Sequence, residues 1–300
     1  MEKYLIINAD DFGSFYAANK ATEELLDRGC ITSATVMMPC MWARMACQWA
    51  AKNPQHAVGI HLTNTSEWAS CKWPPVLAAG TASLRDAEGY MWENCADFEH
   101  NADLDEVKAE CLAQLNLAKK LGLNPSHWDN HMGSLYGIAT GRLELLEQTL
   151  ELSAAQGLPF RFPLRGMEQE QAASDNDMPI SKETLAFMYK QIAAFVDARG
   201  VACPDFLIPA EWTEDNVRNY EAYRDYMFEF VKCFPHGVTE TFIHPCIDTG
   251  EITQASNTGI RRVWEYQLYL DPKFQQHMKD IGIVKINYRD LAKMRGKQAK

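Results

Sequence analysis

The sequence predicts an α/β fold in which a parallel sheet closes into a (β/α) barrel. Strand-like and helix-like segments alternate along nearly all of the 300 residues, the pattern of parallel strands joined by helical crossovers. Seven or eight such units occur, about the number that curls a sheet back on itself. An open doubly wound sheet is the competing arrangement, but neither GxGxxG nor GxxxxGK[ST] is present to support it.

The first strand is the apolar run Tyr4-Leu5-Ile6-Ile7, ending in Asn8-Ala9-Asp10-Asp11-Phe12-Gly13. Ser14 is the expected N-cap of a helix through Ala18, Ala21, Leu25 and Leu26, which Gly29 stops. A β-branched run at 32–38 gives the second strand. A helix through Trp42, Met45, Ala46 and Trp49 follows, closing near Asn53-Pro54, and residues 57–62 form the third strand. Residues 64–101 read as irregular and carry Trp68, Trp73 and Trp92; a loop this long in a compact domain is usually functional or mobile. Asp103 caps a helix through Val107, Cys111, Leu115 and Ala118, ending at Gly122.

Residues 126–132 give a fourth strand, 140–156 a helix stopped by Gly157, and Phe160-Arg161-Phe162 a short fifth strand. A polar excursion over 165–180 precedes a helix at 181–199 and a sixth strand at 204–208. A helix at 214–232, a seventh strand at 238–244 and a last helix at 259–270 complete the alternation. Residues 281–286 are either an eighth strand or an apolar patch. No linker is evident, so the expectation is one domain over 1–290 with an insertion at about 64–102, then a frayed basic tail over 291–300.

Composition narrows the function. Hydrophobic and charged fractions of 47% and 23% are those of an ordinary globular protein, and the formal net charge of -11 argues against nucleic acid or an anionic membrane as partner. A small neutral substrate or a metal cation suits it. The nine cysteines form no CxxC pair, which points to a reducing compartment without a disulfide framework or a cysteine zinc site. No signal peptide or membrane-length apolar run is visible, so the expected location is the cytoplasm.

Chemistry is expected where strands end. In parallel α/β proteins the carboxyl ends of the strands carry the site, and there the sequence offers Asp10-Asp11, His61, His127 to His131, and His244. Adjacent carboxylates repel and resist burial, and a shared cation is the simplest relief, an acidic turn being the plainer alternative. A straight strand points successive residues to opposite faces, so the chain must bend near Phe12-Gly13-Ser14 if both acids are to serve one site. One would then bind metal and the other sit beside a metal-bound water. In His127-Trp128-Asp129-Asn130-His131 the odd residues share a face, and Asp129 can take the second ring N–H of His131 or join the ligands itself. A buried polar ladder is the alternative there. Two histidines and one carboxylate leave coordination positions open, the mark of a catalytic metal.

Four motifs in order, Asn-Ala-Asp10-Asp11-Phe-Gly, Gly59-Ile-His61-Leu, His127-Trp-Asp129-Asn-His131 and Phe-Ile-His244-Pro245, resemble the YdjC-like carbohydrate deacetylases, a family that includes chitooligosaccharide deacetylases. The resemblance spans positions 8 to 245. It implies an irregular, seven-stranded (β/α) barrel related to the polysaccharide deacetylases. It also implies one divalent metal on Asp11, His61 and His131, with Asp10 as general base and His244 as general acid. Zinc or magnesium is expected foremost, and manganese or cobalt also suits the donors. Asp129-Asn130-His131-Met132-Gly133 departs from the further histidines common in the family and bears on the substrate.

The implied reaction is removal of acetyl from an N-acetylated sugar or short chitooligosaccharide, phosphorylated or not. Asp129 and His127 are expected behind the metal ligands. Trp68, with Trp73 and Trp92, could offer faces to sugar rings, and Arg161, Asn130 and Glu211 could contact the substrate, with Arg165 the lesser candidate. Rival readings are a metal-dependent sugar isomerase or epimerase, a phospho-disaccharide-processing enzyme, and a non-catalytic sugar-binding protein. Glycoside hydrolysis would need two acids straddling a bond, which adjacent aspartates do not provide. A homodimer is compatible with the resemblance, though no sequence feature shows one.

Overall fold

The computed structural model describes residues 2–165, 182–256 and 258–296. Its centre is one parallel sheet of β1 (Lys3–Phe12), β2 (Ser33–Val36), β3 (Ala57–Leu62), β4 (Trp128–Asn130), β5 (Phe206–Leu207), β6 (Gly237–Ile243) and β7 (Ile283–Lys285). The order is β4-β3-β2-β1-β6-β5, with β7 paired to β1. β1 is the axis. One edge pairs with β6 from Lys3↔Gly237 to Ala9↔Ile243, while the other is shared, β7 taking Lys3 to Leu5 and β2 taking Asn8 onward.

The curl is carried across the gap between β4 and β5 by residues 159–165. Trp128 N–H donates to the Pro159 carbonyl at 3.0 Å and Arg161 N–H to that of Trp128 at 3.2 Å. On the other side Phe160 N–H reaches Ala202 at 3.0 Å and Arg165 N–H reaches Asp205 at 2.9 Å. The expected fifth strand is therefore a bridge rather than a full strand.

Around the sheet run α1 (Tyr16–Asp27), α2 (Ala43–Lys52), α3 (Cys95–Asn101), α4 (Leu104–Lys120), α5 (Glu144–Gln156), α6 (Lys182–Arg199), α7 (Tyr220–Phe230), α8 (Glu251–Ala255), α9 (Gly259–Leu270), α10 (Pro272–Asp280) and α11 (Tyr288–Met294). Among the described residues no helix is long and apolar enough to cross a membrane. Strand alternation sorts β1 into two faces. Leu5, Ile7 and Ala9 join the large core under the helices, whereas Ile6 packs inside the barrel with Val238, Ile286, Tyr288 and Leu291. α11 thus stoppers the base of the barrel, and the inward residues above that apolar plug, Asn8 and Asp10, are polar.

Several local expectations change. Ser14 does not cap α1; its hydroxyl donates to the Asp11 carbonyl at 2.6 Å, and the helix starts at Tyr16 without a side-chain cap. The fourth strand shrinks to Trp128–Asn130, because the chain enters a 3-10 turn at His131 and Met132 takes a left-handed φ of 55°. α7 begins at Tyr220, where Asn219 caps it, rather than at 214. The insertion contains α3 and a short 3-10 turn at Ala82–Leu84. Residues 281–286 do contain a strand, β7. α8, α10 and α11 were not foreseen. Nor does a tail start at 291, since Leu291 and Ala292 are buried in α11. The polar excursion, save its first residue, and the last four residues lie outside the described residues.

Gly59 shows how tightly the interior is filled. A Cβ there would lie 2.4 Å from the His127 carbonyl oxygen and 2.7 Å from its ring Nδ1. Close approach of β3 and β4 needs a residue without a side chain. Gly59→Ala is expected to cost about 3 kcal/mol or more, seen as a lowered urea midpoint; an unchanged midpoint would contradict this packing.

Candidate metal centre

The site forms at the carboxyl ends of β1, β3 and β4. Asp10 and Asp11 are brought to one place by a bend at Asp11 itself, which has a left-handed φ of 59°. The β1–β2 register breaks between Ala9 and Phe12, so the bend falls one step before the predicted Phe12-Gly13-Ser14. Among the described residues Asp11 and Met132 are the non-glycine residues with positive φ, and each lies at or beside a candidate ligand. Strained backbone of this kind persists where surrounding structure holds it in place for function.

Asp11, His61 and His131 converge. Asp11 Oδ1 lies 3.5 Å from His61 Nε2 and 3.4 Å from His131 Nδ1, and the two nitrogens are 3.3 Å apart. Tetrahedral ligands at about 2.1 Å from an ion stand roughly 3.4 Å from one another, so this triangle has the dimensions of a metal face. Asp11 Oδ1 is buried and has no hydrogen-bond partner among the described residues, as expected of an atom aimed at a cation. Its other oxygen takes a hydrogen bond from Arg262 at 2.7 Å. Burial would raise the Asp11 pKa, but the Arg262 guanidinium outweighs it and holds the carboxyl well below the usual range. These three residues fit a divalent ion.

Each imidazole has a carboxylate behind it. His61 Nδ1 lies 2.6 Å from Asp129 Oδ1, and His131 Nε2 lies 2.8 Å from Glu67 Oε2. Asp129 therefore backs His61, not His131 as its position in the motif suggested, because β3 and β4 pair with His61 directly opposite Asp129. Burial disfavours a charged His131, yet Glu67 and Asp11 overcome it and push its pKa up to about 10.

Asp10 sits beside the trio, its Oδ2 3.9 Å from His61 Nε2. Arg161 grips it with two hydrogen bonds, of 2.7 and 2.6 Å, and Asn8 adds a third at 2.8 Å. Burial opposes its charge, but Arg161 prevails and brings the pKa to about 2. The same guanidinium is 2.8 Å from Asp129 Oδ2 and donates to Glu240 at 2.8 Å. This corrects the expectation that Arg161 contacts sugar: it is 3% exposed and engaged by three carboxylates.

The other candidates separate. His127 lies below the site, 3.3 Å from Asn8 and stacked on Tyr288 at 3.8 Å. Burial and Arg161 keep it neutral. His244 is half-buried at the end of β6, its backbone N–H donating to Glu265 at 2.7 Å, and burial with Arg262 lowers its imidazole to about 4. Asn130 is buried, its Oδ1 accepting from Leu135 N–H at 3.0 Å and its Nδ2 unpartnered among the described residues. Trp68 and Trp73 are buried against each other, 5.3 Å between ring centres, so neither presents an open face to a sugar. The Glu211 side chain is exposed, and its backbone N–H donates to Tyr226 Oη at 2.9 Å. Arg165, 58% exposed, lies 3.6 Å from Asp205.

Residues 4–280 match the sequence profile of the YdjC-like protein family. The chain is 27% identical to a carbohydrate deacetylase of Enterococcus faecalis over 97% of this chain and 98% of that protein. It is 35% identical to a chitooligosaccharide deacetylase of Yersinia enterocolitica over 44% of this chain and 50% of that one. Among solved structures, an Enterococcus faecalis V583 protein named for cellobiose-phosphate cleavage superposes with a TM-score of 0.73 at 26% identity, covering 97% of this chain and 99% of its own.

Removing the Arg161 charge would leave three buried carboxylates without their cation. Arg161→Met is therefore expected to destabilise the fold by about 3–5 kcal/mol, measured by urea unfolding. A variant of native stability with only a raised KM would restore the sugar-contact assignment.

Proposed function

The chain belongs to the YdjC-like protein family, and from that membership we propose that it is a carbohydrate deacetylase. It would remove an acetyl group from an N-acetylated sugar or short chitooligosaccharide by metal-assisted hydrolysis. The observation that carries this is the triangle of Asp11, His61 and His131 around the unpartnered Asp11 oxygen. A divalent ion held there would polarise the acetyl carbonyl and make bound water acidic, to a pKa near 7 for zinc.

The remaining work falls to the protein. Asp10, fixed by Arg161 and Asn8, would serve as the base for the attacking water. At a pKa of about 2 it is ionised throughout the working range but intrinsically weak. It orients the water first, and takes the proton as the bond to carbon forms and that proton becomes far more acidic. His244 is the acid. It is neutral at rest, Asp10 and Asp11 both favour its charged form, and an imidazolium of low pKa gives up its proton readily. The balance closes when water loses one proton to Asp10, which returns it to solvent, while His244 takes up one proton from solvent and passes it to the leaving nitrogen.

Two observations favour this over the rivals. Asp10 is held by a buried arginine, so it does not stand across a bond from a second free acid, as glycoside cleavage requires. Both arginines that touch the site carboxylates, Arg161 and Arg262, are already paired, which favours an uncharged sugar over a phosphorylated one.

Acetate release from N-acetylated mono- and disaccharides, phosphorylated and not, tests the reading with zinc, magnesium, manganese and cobalt in turn. Turnover should require metal and stop on chelation. Asp10→Asn should retain metal and lose about 10²–10⁴-fold in kcat, and the double variant His61→Ala, His131→Ala should bind none. The proposal fails if no sugar yields acetate, or if the double variant still holds the ion.

A further inference from the structure

Trp68 and Trp73 are buried and pin the insertion to the body, and its first residues end at the candidate metal centre. Glu67 Oε2 lies 2.8 Å from His131 Nε2, while Nδ1 of the same ring faces Asp11 and His61. His61 is arranged in the same way, with Asp129 at its back and Nε2 toward the centre. The two carboxylates differ in origin, Asp129 coming from β4 and Glu67 from the loop after β3.

The tryptophans hold Glu67 where it is. Trp73 donates from its backbone to Ser66 Oγ at 3.0 Å and from its indole to the Thr65 carbonyl at 2.9 Å. Ser66 N–H donates to the Trp92 carbonyl at 2.8 Å. Both residues before Glu67 are thus clamped. On its other side Trp68 lies under the Arg262 guanidinium at 5.2 Å, and Arg262 holds Asp11 Oδ2. Adjacent residues of the insertion therefore brace two members of the trio, one directly and one through an arginine.

We infer that Glu67 is the positioning residue of His131: it keeps the ring proton on Nε2, leaves the Nδ1 lone pair for the ion, and makes the insertion a structural part of the metal centre. A carboxylate behind a ligand imidazole fixes its tautomer and raises its basicity, and losing such a partner typically costs 10–100-fold in metal affinity. This rests on the metal reading above. Linkage is reciprocal, so an ion that needs Glu67 in place must also hold residues 65–73 in place.

The test uses the full chain with Co(II) as probe, titrated by calorimetry and followed by its visible absorption and by amide hydrogen exchange. Glu67→Ala should weaken Co(II) binding about 10–100-fold and alter the visible bands, and Glu67→Gln should lose less. Co(II) should slow exchange across 65–73 in the wild type and not in Glu67→Ala. If Glu67→Ala does not fold, Glu67→Gln decides. Variants that bind Co(II) within twofold of the wild type with unchanged spectra overturn the assignment, even if their stability falls. A wild-type chain that binds no Co(II) overturns the metal reading itself, an outcome distinct from the first.

Discussion

The barrel interior holds more acid than base, and one cation makes that tolerable. Arg161 lies among Asp10, Asp129 and Glu240, all buried, and touches each of them. Placed in low dielectric without it, three carboxylates would either repel or take up protons. Glu240 shows how narrow the balance is: burial still raises its pKa to about 7 despite the guanidinium, and Tyr288 must donate a further hydrogen bond. With Arg161 in place, Asp10 stays ionised beside the candidate metal position. The barrel thus fixes the charge state of the site as well as its shape.

Arg262 does the equivalent task above it. By pairing with one oxygen of Asp11 it leaves the other free for a cation. Desolvated groups of opposite charge, each with one partner already assigned, give a centre with little freedom to rearrange. Such preorganisation is what a catalytic metal site requires.

Much of this was legible in the sequence, and the limits of that legibility are physical. The third strand was read with its observed bounds, because a short apolar run between turn signals admits one reading. Asp11, His61 and His131 could be grouped because parallel strands deliver their carboxyl ends to one rim. Their supporting residues could not. Arg262 reaches Asp11 across 251 positions and Glu67 reaches His131 across 64, and no periodicity records such pairings. The bend at Asp11 is hidden for a different reason: with a glycine two residues on, Gly13 is the obvious hinge. Asp129 serves His61 because the two lie opposite each other in the β3–β4 pairing, a register that the motif within one strand does not record.

The pairing of β1 has a consequence for how the molecule is made. Lys3 lies against Gly237 on one edge and Ile283 on the other, so the strand that carries both aspartates finds two of its three partner strands only after most of the polypeptide exists. Closing a loop of that length carries a large entropic penalty before any contact compensates, and topologies dominated by distant partners assemble slowly. On a ribosome β1 emerges early and waits, half-paired with β2, an edge open to wrong neighbours. The amino end of β1, where β6 and β7 meet it, is consequently among the last parts to mature.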